Sequence, residues 1–234
     1  MCGRFGSCFL PRDIWRMFHL RTEPEDEPAW LPSWNLCPMQ EAPVVLGAVH
    51  DGAPRRVELL RWGFVPRWAK DPKETRRPIN ARAEAVAKSG VFRDAFARRR
   101  CLVPAGVFYE WQRTPGQRQK QPYAIARADG RPTALAGLWE VWRAPDDTRQ
   151  LRTFTIVTTN ANEDIMFLHH RMPVIIEEVD WGVWLGEEPG SARDLLRPSP
   201  NGMLHSWPIS TRVNSPANNG AELLRPLALV GTGL

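Results

Sequence analysis

The chain has 234 residues, 43% hydrophobic and 24% charged, which excludes a disordered or low-complexity protein and fits a fold with a sizeable core. A net charge of +5, from 31 Lys and Arg against 26 Asp and Glu, permits a polyanionic partner without demanding one. No apolar run of about 18 residues reads as a membrane span, and no basic region followed by an apolar stretch reads as a signal peptide. The four cysteines, Cys2, Cys8, Cys37 and Cys101, show no C-x-x-C spacing, so neither a zinc site nor a redox motif is expected. Reduced thiols and a cytoplasmic location follow.

The chain opens Met1-Cys2-Gly3-Arg4-Phe5. A small second residue normally lets the initiator methionine be trimmed, which would leave Cys2 with both a thiol and a free α-amine. Their reference pKa values, about 8.5 and about 7.7–8.0, give both a usable reactive fraction near neutrality. Such a 1,2-aminothiol condenses with an aldehyde to a Schiff base and then closes a five-membered thiazolidine. While Met1 stays in place, the amine is locked in a peptide bond. The bland alternative is an ordinary first strand whose cysteine is incidental.

Further along, residues 12–20 carry apolar side chains at near-helical spacing and predict a short amphipathic helix. Acidic, proline-rich residues 22–32 predict a surface loop, and 34–38 an irregular turn. Residues 43–50 and 55–62 read as two strands joined by an Asp51-Gly52 turn. A charged loop is expected over 70–77 and helical pieces over 80–88 and 91–100. One strand over 101–111 leads through a polar loop, 112–120, into another over 122–127. Strands are predicted over 133–143 and 151–159, a helix over 162–169, and a short strand over 173–176. Small helices over 179–185 and 192–196 precede a last strand at 203–208. The 22 prolines, nearly twice the usual share of about 5%, suit many short elements. Strands without regular βαβ alternation predict an α+β fold: one domain over 1–234, its mixed, mainly antiparallel sheet forming a half-open barrel with helices packed outside.

Three internal contexts carry candidate chemistry. Asn80 is either a helix N-cap or an amide that positions a nucleophile or hydroxyl. Glu110, near the end of an apolar strand between Tyr109 and Trp111, would have a raised pKa if desolvated, which suits proton transfer near pH 7. Of His169 and His170, adjacent residues pointing about 100° apart on a helix, only one would serve a given site. A metal pair would prefer spacing of three or four. Basic clumps at 70–77, 98–100 and 113–120, interleaved with Trp62, Trp68 and Trp111, are either solvated faces or a groove for single-stranded nucleic acid.

Five segments occur in order: Met1-Cys2-Gly3-Arg4-Phe5, Trp62-Gly63-Phe64-Val65-Pro66, Ile79-Asn80-Ala81-Arg82-Ala83-Glu84, Phe108-Tyr109-Glu110-Trp111 and His169-His170-Arg171-Met172-Pro173. The tail Asn219-Gly220-Ala221-Glu222-Leu223 follows them. Together they resemble the SOS-response-associated peptidase (SRAP) family over about residues 2–226. The resemblance implies a sensor of abasic sites in single-stranded DNA, in which Cys2, freed of Met1 by a peptidase-like step, joins covalently to the sugar aldehyde, with AP-lyase-type chemistry alongside. It implies that Asn80 orients the terminus and the sugar, that Glu110 orients the amine and moves protons, and that His169 assists ring opening. Arg4 and Arg82 resemble phosphate-binding residues and Trp68 a stacking residue. No cofactor, metal or membrane is implied; the expected form is a monomer, cytoplasmic and nucleoid-associated when on DNA. Two rivals remain. An N-terminal-nucleophile glutamine amidotransferase also begins Met-Cys-Gly, but would release ammonia from glutamine. A plain single-strand-binding module would leave Cys2 inert.

Overall fold

The structure, a computed structural model, describes residues 2–20, 30–47, 54–113, 115–116 and 118–227. Its strands form two sheets. The first is antiparallel and runs in the order β12 (Leu204–Pro208), β8 (Gln121–Arg127), β7 (Val107–Gln112), β1 (Phe5–Ser7), β2 (Ser33–Leu36). The second contains β3 (Glu41–Leu46), β4 (Arg56–Trp62), β6 (Arg100–Ala105), β9 (Thr133–Arg143), β10 (Gln150–Asn160), and the short β5 (Asn80–Arg82) and β11 (Arg171–Pro173). In it β10 pairs with β4 on one side and β9 on the other, and β3 and β6 complete the circuit. The α+β, mainly antiparallel architecture is as expected, and its barrel closes fully rather than stopping half-open.

Alternation along the barrel strands sorts the core. Val44, Leu46, Cys101, Val103, Phe154 and Ile156 pack with Phe5 and Phe108 of the first sheet. Their neighbours Val45, Leu102, Ala136, Leu138 and Val157 face outward, beneath Ile14 of α1 (Pro11–Met17), Ala95 of α2 (Arg93–Arg98) and Trp181 and Trp184 of α3 (Trp181–Leu185). The helices therefore lie outside the barrel, each seated by an aromatic or small apolar face.

Several local expectations change. The single strand expected over 101–111 is two. Gly106 breaks it, donates its N–H to the Gly6 carbonyl (2.9 Å), and leaves no room for a side chain: a Cβ there would lie 2.5 Å from Cys8 Sγ. The run thus starts in the barrel as β6 and finishes in the first sheet as β7. The irregular turn at 34–38 is largely β2, paired with β1. Asn80 opens a strand rather than a helix, because Asn80, Ala81 and Arg82 pair in parallel with Ile156, Val157 and Thr158. Residues 83–88, 163–168 and 192–195 form successive turns instead of helices. The Asp51-Gly52 turn and most of the 22–32 loop lie outside the described residues, although β3 and β4 pair as expected. Among the described residues no helix is long and apolar enough to cross a membrane.

Candidate active site

Strand β10 frames the site. Its Thr158 pairs with Arg82 of β5 and with Pro173 of β11, so the two short strands lie along opposite edges. Asn80 sits at the start of β5, and His169 lies just before β11. The first sheet brings the other half. Phe5 of β1 stands opposite Phe108 of β7, and Glu110 lies two residues further along β7.

These four segments meet at Cys2. Asn80 Nδ2 donates to the Cys2 carbonyl at 2.9 Å. The Asn80 side-chain oxygen is buried with no partner among the described residues, leaving one acceptor for an amine or hydroxyl. Cys2 is fully buried, and its thiol is pushed up to about 12, first by desolvation and then by the charge of Glu110. With Met1 attached the thiol is therefore neutral at physiological pH. Glu110 is only 5% exposed. Burial raises its carboxyl above the ordinary range, and the positive charge of the chain's amino terminus pulls the other way. A carboxyl raised above the ordinary range holds its proton more readily than a solvated glutamate, which suits it to proton transfer.

His169 is held down to about 4, by desolvation first and then by the charges of the amino terminus and His170. Its Nδ1 accepts the Arg171 backbone N–H at 2.9 Å, so the neutral ring carries its proton on Nε2. His170 is exposed, and its ring stacks on His169 with centroids 4.3 Å apart. The two imidazoles thus share a position, contrary to the divergence that a helix would impose. Asn80 bonds to Cys2, the charge of Glu110 acts on its thiol, and Glu110 and His169 both feel the amino-terminal charge, so the four expected residues share one neighbourhood.

The expected DNA-binding residues separate. Trp68, 63% exposed, and Arg82 line a groove of about 460 Å³ that includes Asn80 and Arg76. Arg4 is occupied elsewhere. Its Nη1 donates to Asn35 Oδ1 and the Val213 carbonyl, both at 2.7 Å, and its guanidinium lies 5.9 Å from the Trp111 ring. Asn35 in turn donates to the Val213, Ser215 and Asn218 carbonyls, while Asn219 accepts the Trp34 N–H. Arg4 is thereby part of the polar seam that ties the tail to the first sheet.

Sequence reasoning missed a clamp. Arg171, buried, donates to both oxygens of Glu84 (2.5 and 2.9 Å), to Asn160 Oδ1 (2.9 Å) and to the Thr158 carbonyl (2.5 Å). It spans the end of β10 and locks the Asn80 segment to the His169 segment. Each stands in a motif whose other members carry the candidate chemistry, and 87 positions separate them. Lys120 belongs to a basic clump in the sequence, and its charge acts on both Glu110 and His169. Among the described residues no group of three or more His, Cys, Asp or Glu side chains is placed to hold a metal.

A family model described as SOS response associated peptidase (SRAP) matches residues 1–216. The chain belongs to the SRAP family. It is 38% identical over 228 residues to the abasic site processing protein YoqW of Bacillus subtilis (strain 168), covering 96% of this chain and 99% of that one. It is 32% identical over 276 residues to the abasic site processing protein HMCES of Pongo abelii, covering 98% and 77% respectively. A solved structure of a protein from Bacteroides thetaiotaomicron superposes with a TM-score of 0.84 over 97% of this chain and 100% of the other, at 21% identity, which shows the fold alone. The match to the SRAP model stops short of the Asn219–Leu223 motif, yet Leu223 is buried with Val107 and Tyr109 on the outer face of the first sheet.

Proposed function

We propose that this SRAP chain processes abasic sites in single-stranded DNA by capturing them covalently on Cys2. The observation that carries the reading is the convergence on one buried residue of an amide, a carboxyl with a raised pKa and a neutral imidazole, drawn from three distant parts of the sequence. Hydrolysis of the peptide bond between Met1 and Cys2, the peptidase-like step, frees the amine. His169 Nε2–H hydrogen-bonds to the ring oxygen of the abasic sugar; the C1′–O4′ bond breaks, the C1′ hydroxyl proton passes to O4′, and the C1′ aldehyde forms. The amine attacks C1′, a C–N bond forms, and the aldehyde oxygen leaves as water after proton transfers through Glu110. The thiol then adds to the imine carbon; a C–S bond forms, its proton passes to nitrogen by way of Glu110, and the thiazolidine closes without any change of oxidation state. Because an imine also promotes strand cleavage, ring closure competes with the AP-lyase outcome and shields the strand.

Trp68 and Arg82, at the groove leading to Asn80, suit a base and a phosphate beside the lesion. Arg4 acts by holding β1, and with it Cys2, against the tail. The working unit in this reading is a single domain and a monomer, in the cytoplasm and on the nucleoid where single strands are exposed. The amidotransferase alternative would release ammonia from glutamine, and the processed chain given glutamine is expected to release none. The test is a single-stranded oligonucleotide with one abasic site, mixed with the processed chain and run under denaturing conditions. A retarded band is expected, and none when the sugar has first been reduced to its alcohol. Absence of a band with the unreduced sugar would overturn the proposal.

A further inference from the structure

The turn before His169 displays two large apolar side chains that the fold does not use. Over 163–168 the chain buries Ile165 and Leu168 in the core, while Met166 and Phe167 stand 58% and 54% exposed. Single exposed apolar residues are ordinary, but an adjacent pair beside a reactive centre is not. The turn is also rigid. Asn162 donates to the Ser199 and Pro200 carbonyls, Asp164 accepts from the backbone N–H groups of Gly202 (2.8 Å) and Leu204 (3.0 Å), and Asn201 accepts from that of Glu163. Phe167 is thus presented from a pinned support, as a preformed binding surface requires.

Among the described residues its ring has one aromatic partner. Tyr123 of β8 meets it edge-on, with centroids 5.8 Å apart and planes at 87°. Tyr123 stands directly opposite Glu110 in the β7–β8 register, and Phe167 precedes His169 by two residues. The exposed ring therefore borders the candidate site on its β8 and β11 side. Trp68 borders it on the β5 side, across β10. Lys120, just before β8, adds a cation on the Phe167 side.

We propose that Phe167, backed by Tyr123, is a stacking platform for the nucleobase next to the abasic site, on the flank opposite to the one Trp68 receives. This rests on the abasic-site reading above. A missing base leaves each of its neighbours with one bare face, and two aromatic rings, one per flank, replace the lost stacking. Lys120 is placed to meet the phosphate that accompanies the Phe167-side base.

The test uses the full chain and a single-stranded oligonucleotide carrying tetrahydrofuran, an unreactive abasic mimic, with 2-aminopurine on one flank or the other. Binding of the native chain is expected to quench the fluorophore at both flanks. Phe167→Ala should abolish the quench at one flank only and weaken binding about tenfold, the scale of one base–aromatic stack. Phe167→Trp should restore both. If Phe167→Ala leaves quenching and affinity as in the native chain, the platform does not exist. Cross-linking of a reactive abasic oligonucleotide, run in parallel, reports the underlying reading separately. Quenching without any adduct sinks the covalent chemistry and leaves the platform; an adduct with quenching unmoved by Phe167→Ala sinks only the platform. A native chain that neither binds nor cross-links sinks both.

Discussion

The floor and the rim of the site are built on opposite principles. At the floor Cys2 and Glu110 are almost wholly buried, and desolvation raises both pKa values; the charge of Glu110 adds to the rise at Cys2, while the amino-terminal charge opposes it at Glu110. At the rim Trp68 and Arg82 stand in solvent, and Arg82 engages no described carboxylate at ion-pair distance. Burial is what makes the floor chemical: it holds the thiol neutral and raises the carboxyl above the ordinary glutamic range. Exposure is what keeps the rim available to a long polyanion. Floor substitutions should therefore remove chemistry and spare binding, and rim substitutions should do the reverse.

Cys2→Ala gives the largest effect and the cleanest break between the two. Covalent product should vanish, while affinity for a tetrahydrofuran-containing strand, measured by anisotropy, stays within about threefold of native. Glu110→Gln comes next. The single-turnover cross-linking rate should fall by about 10²–10⁴, the usual share of a positioned proton carrier. In the native chain that rate should rise with pH as the carboxylate forms, above the ordinary glutamic range, and the glutamine variant should lose this rise. Stability should move the other way. Because the folded-state pKa of Glu110 is raised, the folded chain holds the extra proton, and stability is lost as pH rises through that value. Glu110→Gln should then melt no earlier than the native chain at pH 8.

At the rim, Trp68→Ala should weaken binding about tenfold, with the rate at saturating DNA unchanged. Arg82→Ala should cost less, about threefold at moderate salt, and lower the slope of log affinity against log salt by about one. Glu84→Gln sharpens the boundary, since Glu84 is half exposed while the arginine it holds is buried. Breaking a fully buried pair costs about 3–5 kcal/mol, but Arg171 keeps Asn160 and the Thr158 carbonyl, so about 1–2 kcal/mol is expected. Hydrogen bonding to Arg171 depresses the Glu84 carboxyl, so its contribution is complete above the ordinary glutamic pKa and is lost as pH falls through the depressed value. Thermal melts at pH 7 and pH 3 should differ less for Glu84→Gln than for the native chain.

Much of this was legible in the sequence where local chemistry decides. Strand β9 follows the expected bounds because apolar or β-forming residues fill its eleven positions apart from Gly137, Glu140 and Arg143. Cys2 announces itself through its covalent chemistry, and Glu110 through its place between two aromatics on an apolar strand. What could not be read is what distant residues impose. Asn80-Ala81-Arg82-Ala83 has good helical propensity, yet the open edge of β10 recruits it as a strand, as tertiary pairing routinely overrides weak local preference. The split at Gly106 depends on Cys8, nearly a hundred positions earlier. The neutral thiol of Cys2 follows from burial by β7 and its neighbours, and no property of the first five residues encodes it.

The most direct measurement is peptide mass mapping of the DNA adduct after nuclease digestion and borohydride treatment. The account predicts that the modified peptide begins at Cys2, with Met1 gone, carries the sugar with the loss of one water, and resists reduction because the ring has closed. A modification on an internal lysine, or one at Cys2 that borohydride converts to a saturated amine, would contradict it.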